Sequence, residues 1–183
     1  MSGIRVCAAL ALALSVAAAG CGLDEPDEGP VEDDRPTRVV DRFHLVETRG
    51  GVLDWELNAR EARTFEGESR LVEVELLFYR ADGSLRSRLV SDRGLVLEKT
   101  GEMTALGNVV LVSVENDTLT TEEMHYLQEE DLITGPGPVR ISKPDRVLTG
   151  IGFKAKPDLT EYEVHRDVHI ELVDRDGAVD LER

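Results

Sequence analysis

Val72-Glu73-Val74-Glu75-Leu76-Leu77-Phe78-Tyr79-Arg80-Ala81-Asp82-Gly83 decides the fold class. Val72, Val74, Leu76 and Phe78 share one parity, and Glu73, Glu75, Leu77 and Tyr79 share the other. Side chains of a strand point to opposite faces at each step, so this pattern reads as a half-buried antiparallel strand. Asp82-Gly83 follows directly. That dipeptide accepts the positive φ angles of a tight hairpin turn, so the chain is expected to double back there.

The same period of two extends in both directions. Trp55, Leu57 and Ala59 alternate with Glu56 and Asn58. Val109, Leu111, Val139, Ile141, Val164, Val168 and Ile170 continue the aliphatic, β-branched theme. Gly94, Gly101, Gly107, Gly135-Pro136-Gly137-Pro138, Gly150, Gly152, Pro157 and Gly177 punctuate it at short intervals. Many short strands between regular turn signals predict an all-β sandwich, barrel or jelly roll. Ala59, Ala62 and Phe65 recur at helical spacing, which admits one short helix within residues 58–70. A degenerate repeat is also visible. Val109-Val110-Leu111, Val139-Arg140-Ile141 and Val168-His169-Ile170 lie about 30 residues apart, as stacked supersecondary units would.

The N-terminal segment carries a different message. Met1 to Arg5 bears one positive charge, Val6 to Ala19 is an uncharged run of apolar and small residues, and Ala18-Ala19-Gly20-Cys21 closes it. A basic start, a short apolar stretch and small residues at the cut describe a secretory signal peptide. The run is shorter than the about 20 apolar residues that span a bilayer. Small residues ending on cysteine resemble the bacterial lipobox, which implies cleavage before Cys21 and lipid attached to its thiol. Ala18 stands where leucine is common in that motif. Cys7 leaves with the signal peptide, so the mature domain must rely on its apolar core and not on disulfides.

Residues 21–38 are expected to form a lipidated N-terminus and an acidic linker. Asp24, Glu25, Asp27, Glu28, Glu32, Asp33 and Asp34 repel one another, and Pro26, Pro30 and Pro36 stiffen the segment, so it should be extended and disordered. The folded domain is expected over residues 39–183. Losing residues 1–20 removes only Arg5, which moves the formal charge from −16 to −17. An acidic surface of that size repels phosphate backbones and argues against nucleic-acid binding.

Catalytic and metal chemistry find little support. His165, Asp167 and His169 share a face if they lie on a strand, but the histidines would then be about 13 Å apart. Both cannot reach one ion at ~2 Å. Asp174-Arg175-Asp176-Gly177 opens like a calcium loop, yet the chain lacks the closing glutamate and the segment reads as a turn. There is no Gly-x-Ser-x-Gly elbow, P-loop or cysteine–histidine pair. No cofactor or metal is called for, and an enzyme is the less favoured class.

Taken in order, the motifs resemble the LptC family of lipopolysaccharide-export proteins. The match runs through Trp55-x-Leu57-x-Ala59-x-x-Ala62, Val72-x-Val74 to Asp82-Gly83, Ser91-Asp92-Arg93-Gly94 and Gly107-Asn108-Val109-Val110. It continues through Leu119-Thr120-Thr121-Glu122 with Tyr126, Ile133 to Val139, and Gly150-x-Gly152-Phe153-x-Ala155. The resemblance implies an open-ended, antiparallel two-sheet β-jelly roll. It also implies a periplasmic carrier that accepts lipopolysaccharide from an inner-membrane ABC transporter complex and passes it to an LptA-like bridge protein by edge-to-edge sheet pairing. Under that reading Val72, Val74, Leu76, Phe78, Val109, Leu111, Val139, Ile141 and Phe153 are the candidates for an acyl-chain groove. Familiar members hold the inner membrane by a transmembrane helix, whereas Cys21 would supply a lipid anchor here. The competing readings are an outer-membrane structural or assembly lipoprotein without lipid carriage, and a periplasmic glycan-active enzyme.

Overall fold

The computed structural model describes residues 35–173. Cys21, most of the acidic linker and Asp174–Gly177 lie outside the described residues. Within them every regular element is a strand. β1 spans Arg38–Arg49, β2 Val52–Thr64, β3 Glu68–Tyr79, β4 Leu85–Leu97 and β5 Met103–Ser113. β6 spans Thr118–Leu127, β7 Leu132–Lys143, β8 Arg146–Ala155 and β9 Tyr162–Leu172. All nine pair antiparallel with their sequence neighbours in one sheet, ordered β1 to β9 without crossover. The all-β, antiparallel expectation is met, and β3 ends at the predicted turn, where Gly83 has φ +81° and its amide donates to the Arg80 carbonyl.

The short helix admitted at residues 58–70 is not there. β2 runs straight through it to Thr64, and β3 begins at Glu68. The Ala59-to-Ala62 spacing that imitated a helix has another cause. The β1–β2 ladder pairs Asp41 with Glu61 and Phe43 with Ala59, passing over Arg42 and Arg60. The β2–β3 ladder passes over Arg60 and Glu73 in the same way. Arg42 and Glu73 both hold left-handed φ, near +54° and +53°. One residue on each strand is spent on an irregularity, and the buried parity shifts by one.

This interruption crosses the entire sheet. The ladders break between Val90 and Arg93, Leu106 and Val109, Thr121 and His125, Gly135 and Pro138, and Thr149 and Ile151. The buried series therefore reads Trp55, Leu57, Ala59, then Ala62 on β2, and Leu71, then Val74, Leu76, Phe78 on β3. On β6 it reads Leu119, Thr121, then Met124 and Tyr126. Each strand thus has two arms meeting at a common bend line.

The bend lets one sheet form both layers. Phe78 on β3 meets Tyr126 on β6 edge to face, with ring centroids 4.9 Å apart. Arg49 at the end of β1 donates to the Gln128 carbonyl beyond β6, at 3.1 Å. Neither pair of strands is adjacent in the sheet, so arms before and after the bend face each other. Their apolar faces leave water together, and burying a side chain of this size stabilises the fold by about 1.5–3 kcal/mol. At the bend line itself, Gly135 is crowded by its own neighbours in the sheet, Phe153 on β8 and Glu123 on β6. A Cβ there would stand 2.6 Å from the Glu123 carbonyl oxygen and would collide with the Phe153 ring. Only glycine fits.

Candidate functional site

Eight of the nine groove candidates enter the shared interior. Val109, Leu111 and Phe153 are sealed from solvent, and Val74, Leu76, Phe78, Val139 and Ile141 are buried beside them. They belong to one cluster with Trp55, Leu89, Leu119, Met124, Ile133 and Leu159. Val72 is placed differently. The Glu73 irregularity makes Leu71 the buried residue, and Val72 is half-buried in an apolar cleft of about 440 Å³ with Phe65, Leu95 and Leu106. Arg63, Arg70 and Arg93 also line that cleft. Neither Leu76 nor Phe78 does.

The interior is aliphatic with few aromatic rings, as the composition implied. Tyr126 brings a hydroxyl into it. Burial, reinforced by Asp131 and Asp54, pushes its hydroxyl far above the ordinary tyrosine range. It therefore stays neutral at any physiological pH. Its ring contact with Phe78 adds roughly 0.5–1.5 kcal/mol beyond area burial.

One end of the interior is closed by the connection between β8 and β9, residues 156–161. Leu159 there is fully buried in the core cluster and holds φ +58°. Its amide donates to the Lys156 carbonyl at 2.9 Å. Arg86, at the start of β4, reaches the loop from another part of the sheet. Its Nε donates to Asp158 at 3.0 Å, and its Nη1 donates to both oxygens of Asp131, at 2.9 and 2.8 Å. Lys143, at the end of β7, donates to the Leu159 carbonyl at 3.1 Å and to Asp117. The Thr160 amide and hydroxyl both donate to Asp158 Oδ1, which folds the loop into an Asx turn. Burial alone would raise the Asp158 pKa, but Thr160 and Arg86 outweigh it and hold the carboxyl below its ordinary value.

Two energies oppose each other at Leu159. Burying its side chain stabilises by about 2 kcal/mol. Holding a non-glycine residue in the left-handed region costs about 1 kcal/mol. Burial thus outweighs the backbone cost by about 1 kcal/mol, and Arg86 and Lys143 add to the closure by binding the loop to the ends of β4 and β7. Sequence reasoning did not find Arg86, Lys143 or Leu159. Pro157-Asp158-Leu159-Thr160 carries an Asx-turn signature, but nothing local marks it as a cap over a distant strand end.

The two edges of the sheet contrast with this interior. On β1, Leu45 pairs with buried Leu57 and is 39% exposed. On β9, Ile170 pairs with buried Leu148, so it lies on the inner face, yet it is 59% exposed. Val168 and Leu172 are 47% and 71% exposed. Both edges carry a left-handed residue at the bend line, Arg42 on β1 and Asp167 on β9. His165 and His169 stand on β9 either side of that point, with the Asp167 irregularity between them. Among the described residues no group of three or more histidine, cysteine, aspartate or glutamate side chains is arranged to hold a metal ion.

The sequence matches the family model described as "Lipopolysaccharide-assembly, LptC-related" over residues 6–172. No curated protein matches it. Among solved structures, it aligns with LptH of Pseudomonas aeruginosa, described as the LptA homologous periplasmic component of the conserved lipopolysaccharide transport device. That alignment has 11% identity and a TM-score of 0.47, and covers 80% of this chain and 99% of the other. At that level of agreement the functional reading rests on the family match.

Proposed function

Because the chain belongs to the family of LptC-related lipopolysaccharide-assembly proteins, we propose that its bent sheet carries lipopolysaccharide acyl chains between two periplasmic partners. Membership makes it a periplasmic component of lipopolysaccharide transport. The finer reading is carriage without covalent chemistry. Lipid arrives from an inner-membrane ABC transporter complex, lies between the two arms, and passes to an LptA-like bridge protein.

One observation carries the reading beyond family membership. The buried apolar face does not end where the core ends but continues onto unpaired edge strands, with Leu45 at one edge and Val168, Ile170 and Leu172 at the other. Exposed edges with apolar inner faces are an aggregation hazard unless a partner strand covers them. β9 suits a bridge protein better than β1, because β1 is tied directly to the segment leading from Cys21. A partner strand on β9 would prolong the apolar face into the next molecule. The left-handed Asp167 limits that pairing to one arm at a time.

We further propose that Cys21 holds the lipid anchor and that the acidic segment sets the reach of the domain. The family role favours the inner membrane.

A second reading has one observation in its favour. Val109, Leu111, Leu119, Ile133 and Phe153 have no exposed surface, so the interior is packed shut in this state. That is what a structural lipoprotein without cargo would look like. Carriage requires the arms to part along the bend line. Site-specific photocrosslinkers at Leu76 and Val139, compared with outward Glu75, separate the two. Carriage predicts lipopolysaccharide adducts at the two inward positions only. Equal labelling at all three, or none at the inward pair, would leave the structural reading standing.

A further inference from the structure

We propose that the β8–β9 connection, Lys156–Glu161, is a ligand-displaced lid, in which Leu159 occupies the end of the lipid path until an acyl chain replaces it. The inference rests on the reading of the interior as that path. Leu159 is the one member of the core cluster that belongs to no strand. Its side chain sits among the candidate lipid-lining residues, where a hydrocarbon chain would make the same contacts. Its backbone is held in a conformation that a leucine adopts only under constraint.

The constraint is supplied from outside the loop. Arg86 ties Asp158 to Asp131, so one guanidinium joins the start of β4 to the β6–β7 and β8–β9 connections. Lys143 fixes the Leu159 carbonyl from the end of β7. Lys156 adds bonds to the Glu130 and Asp131 carbonyls at 3.4 Å. The Arg86 and Lys143 bonds cross between the two facing arms, whereas those of Lys156 stay within one. An acyl chain that parted the arms would stretch the crossing bonds, and once it took over the apolar contacts of Leu159 the left-handed backbone would be left without compensation and the loop would release. Insertion of lipid and departure of Leu159 are thus one event. A lid of this kind keeps the empty interior dry and shields it from stray amphiphiles.

The lid makes the lipid-competent state a minor one, and the apparent affinity falls by the fraction that is open. Leu159→Gly removes the plugging side chain and suits the left-handed backbone. It should raise both the uptake rate and the apparent affinity for fluorescently labelled lipopolysaccharide by about tenfold. Asp158→Asn, which leaves the core untouched, should raise uptake by about threefold.

The decisive measurement uses the unaltered lipidated protein. Amide hydrogen exchange is followed with and without bound lipopolysaccharide. The lid predicts that the Leu159 and Lys156 amides exchange at least about tenfold faster when lipid is bound, while Leu111 and Ile141 do not. If lipopolysaccharide binds and the loop amides are unchanged, the lid is wrong and carriage stands. If neither the wild type nor Leu159→Gly takes up lipopolysaccharide, carriage fails and the lid fails with it.

Discussion

β7 and β9 carry nearly the same words. Val139-Arg140-Ile141 and Val168-His169-Ile170 each place two β-branched side chains on one face with a basic residue between them. On β7 the two are 3% and 1% exposed; on β9 they are 47% and 59% exposed. The local sequence dictates a strand in both cases. Burial comes from position in the sheet order, since β7 has a neighbour on each side and an arm across from it, whereas β9 ends the sheet. One motif thus supplies core in one place and an uncovered docking edge in the other.

Truncating the two strands should break this symmetry. Ile141→Ala opens a cavity in the closed interior and should cost about 3–4 kcal/mol in urea unfolding. Ile170→Ala removes a side chain that the isolated protein leaves in water, and should change stability by less than about 0.5 kcal/mol. Equal losses would mean that β9 is covered as well as β7.

Between these extremes stands the closure that separates interior from solvent. Arg86→Gln leaves Asp131 and Asp158 facing each other without their cation. It should cost about 2 kcal/mol, less than a fully buried pair because both carboxylates keep some contact with water. A loss below about 0.5 kcal/mol would mean that the guanidinium adds nothing over exposed pairs.

A smaller effect should appear in acid. The Asp158 carboxyl is held below its ordinary pKa by Thr160 and Arg86 against the opposing effect of burial. Its contribution is therefore complete above the unfolded value near ~3.9 and is lost as pH falls through the lower folded value. The stability difference between pH 7 and pH 3 should be smaller in Asp158→Asn than in the wild type. An unchanged difference would remove Asp158 from the closure.

The fold class was legible because each strand states its period locally. Val72 to Gly83 and Val139 to Ile141 needed no partner to be read. The bend line was half-legible. Ala59 and Ala62 displayed the parity shift, but a three-residue spacing is shared by a bulge and a helix turn, and only pairing with Phe43 and Val74 distinguishes them. The same shift took Val72 out of the buried face and put Leu71 into it. Eight of the nine groove candidates lie in the interior because they sit away from the irregularity or on the arm whose parity was read correctly. The lid was not legible at all. Arg86, Lys143 and Leu159 are joined only once the sheet folds over, and no spacing in the chain records that closure.

The most direct test sets the two matching motifs side by side. Photocrosslinking amino acids are placed at Ile141 and at Ile170 in cells exporting lipopolysaccharide, and the adducts at each are identified. The account predicts lipopolysaccharide at Ile141 and a protein partner at Ile170. Lipopolysaccharide at Ile170 with none at Ile141 would contradict it, because the lipid would then travel along the open edge and not between the arms.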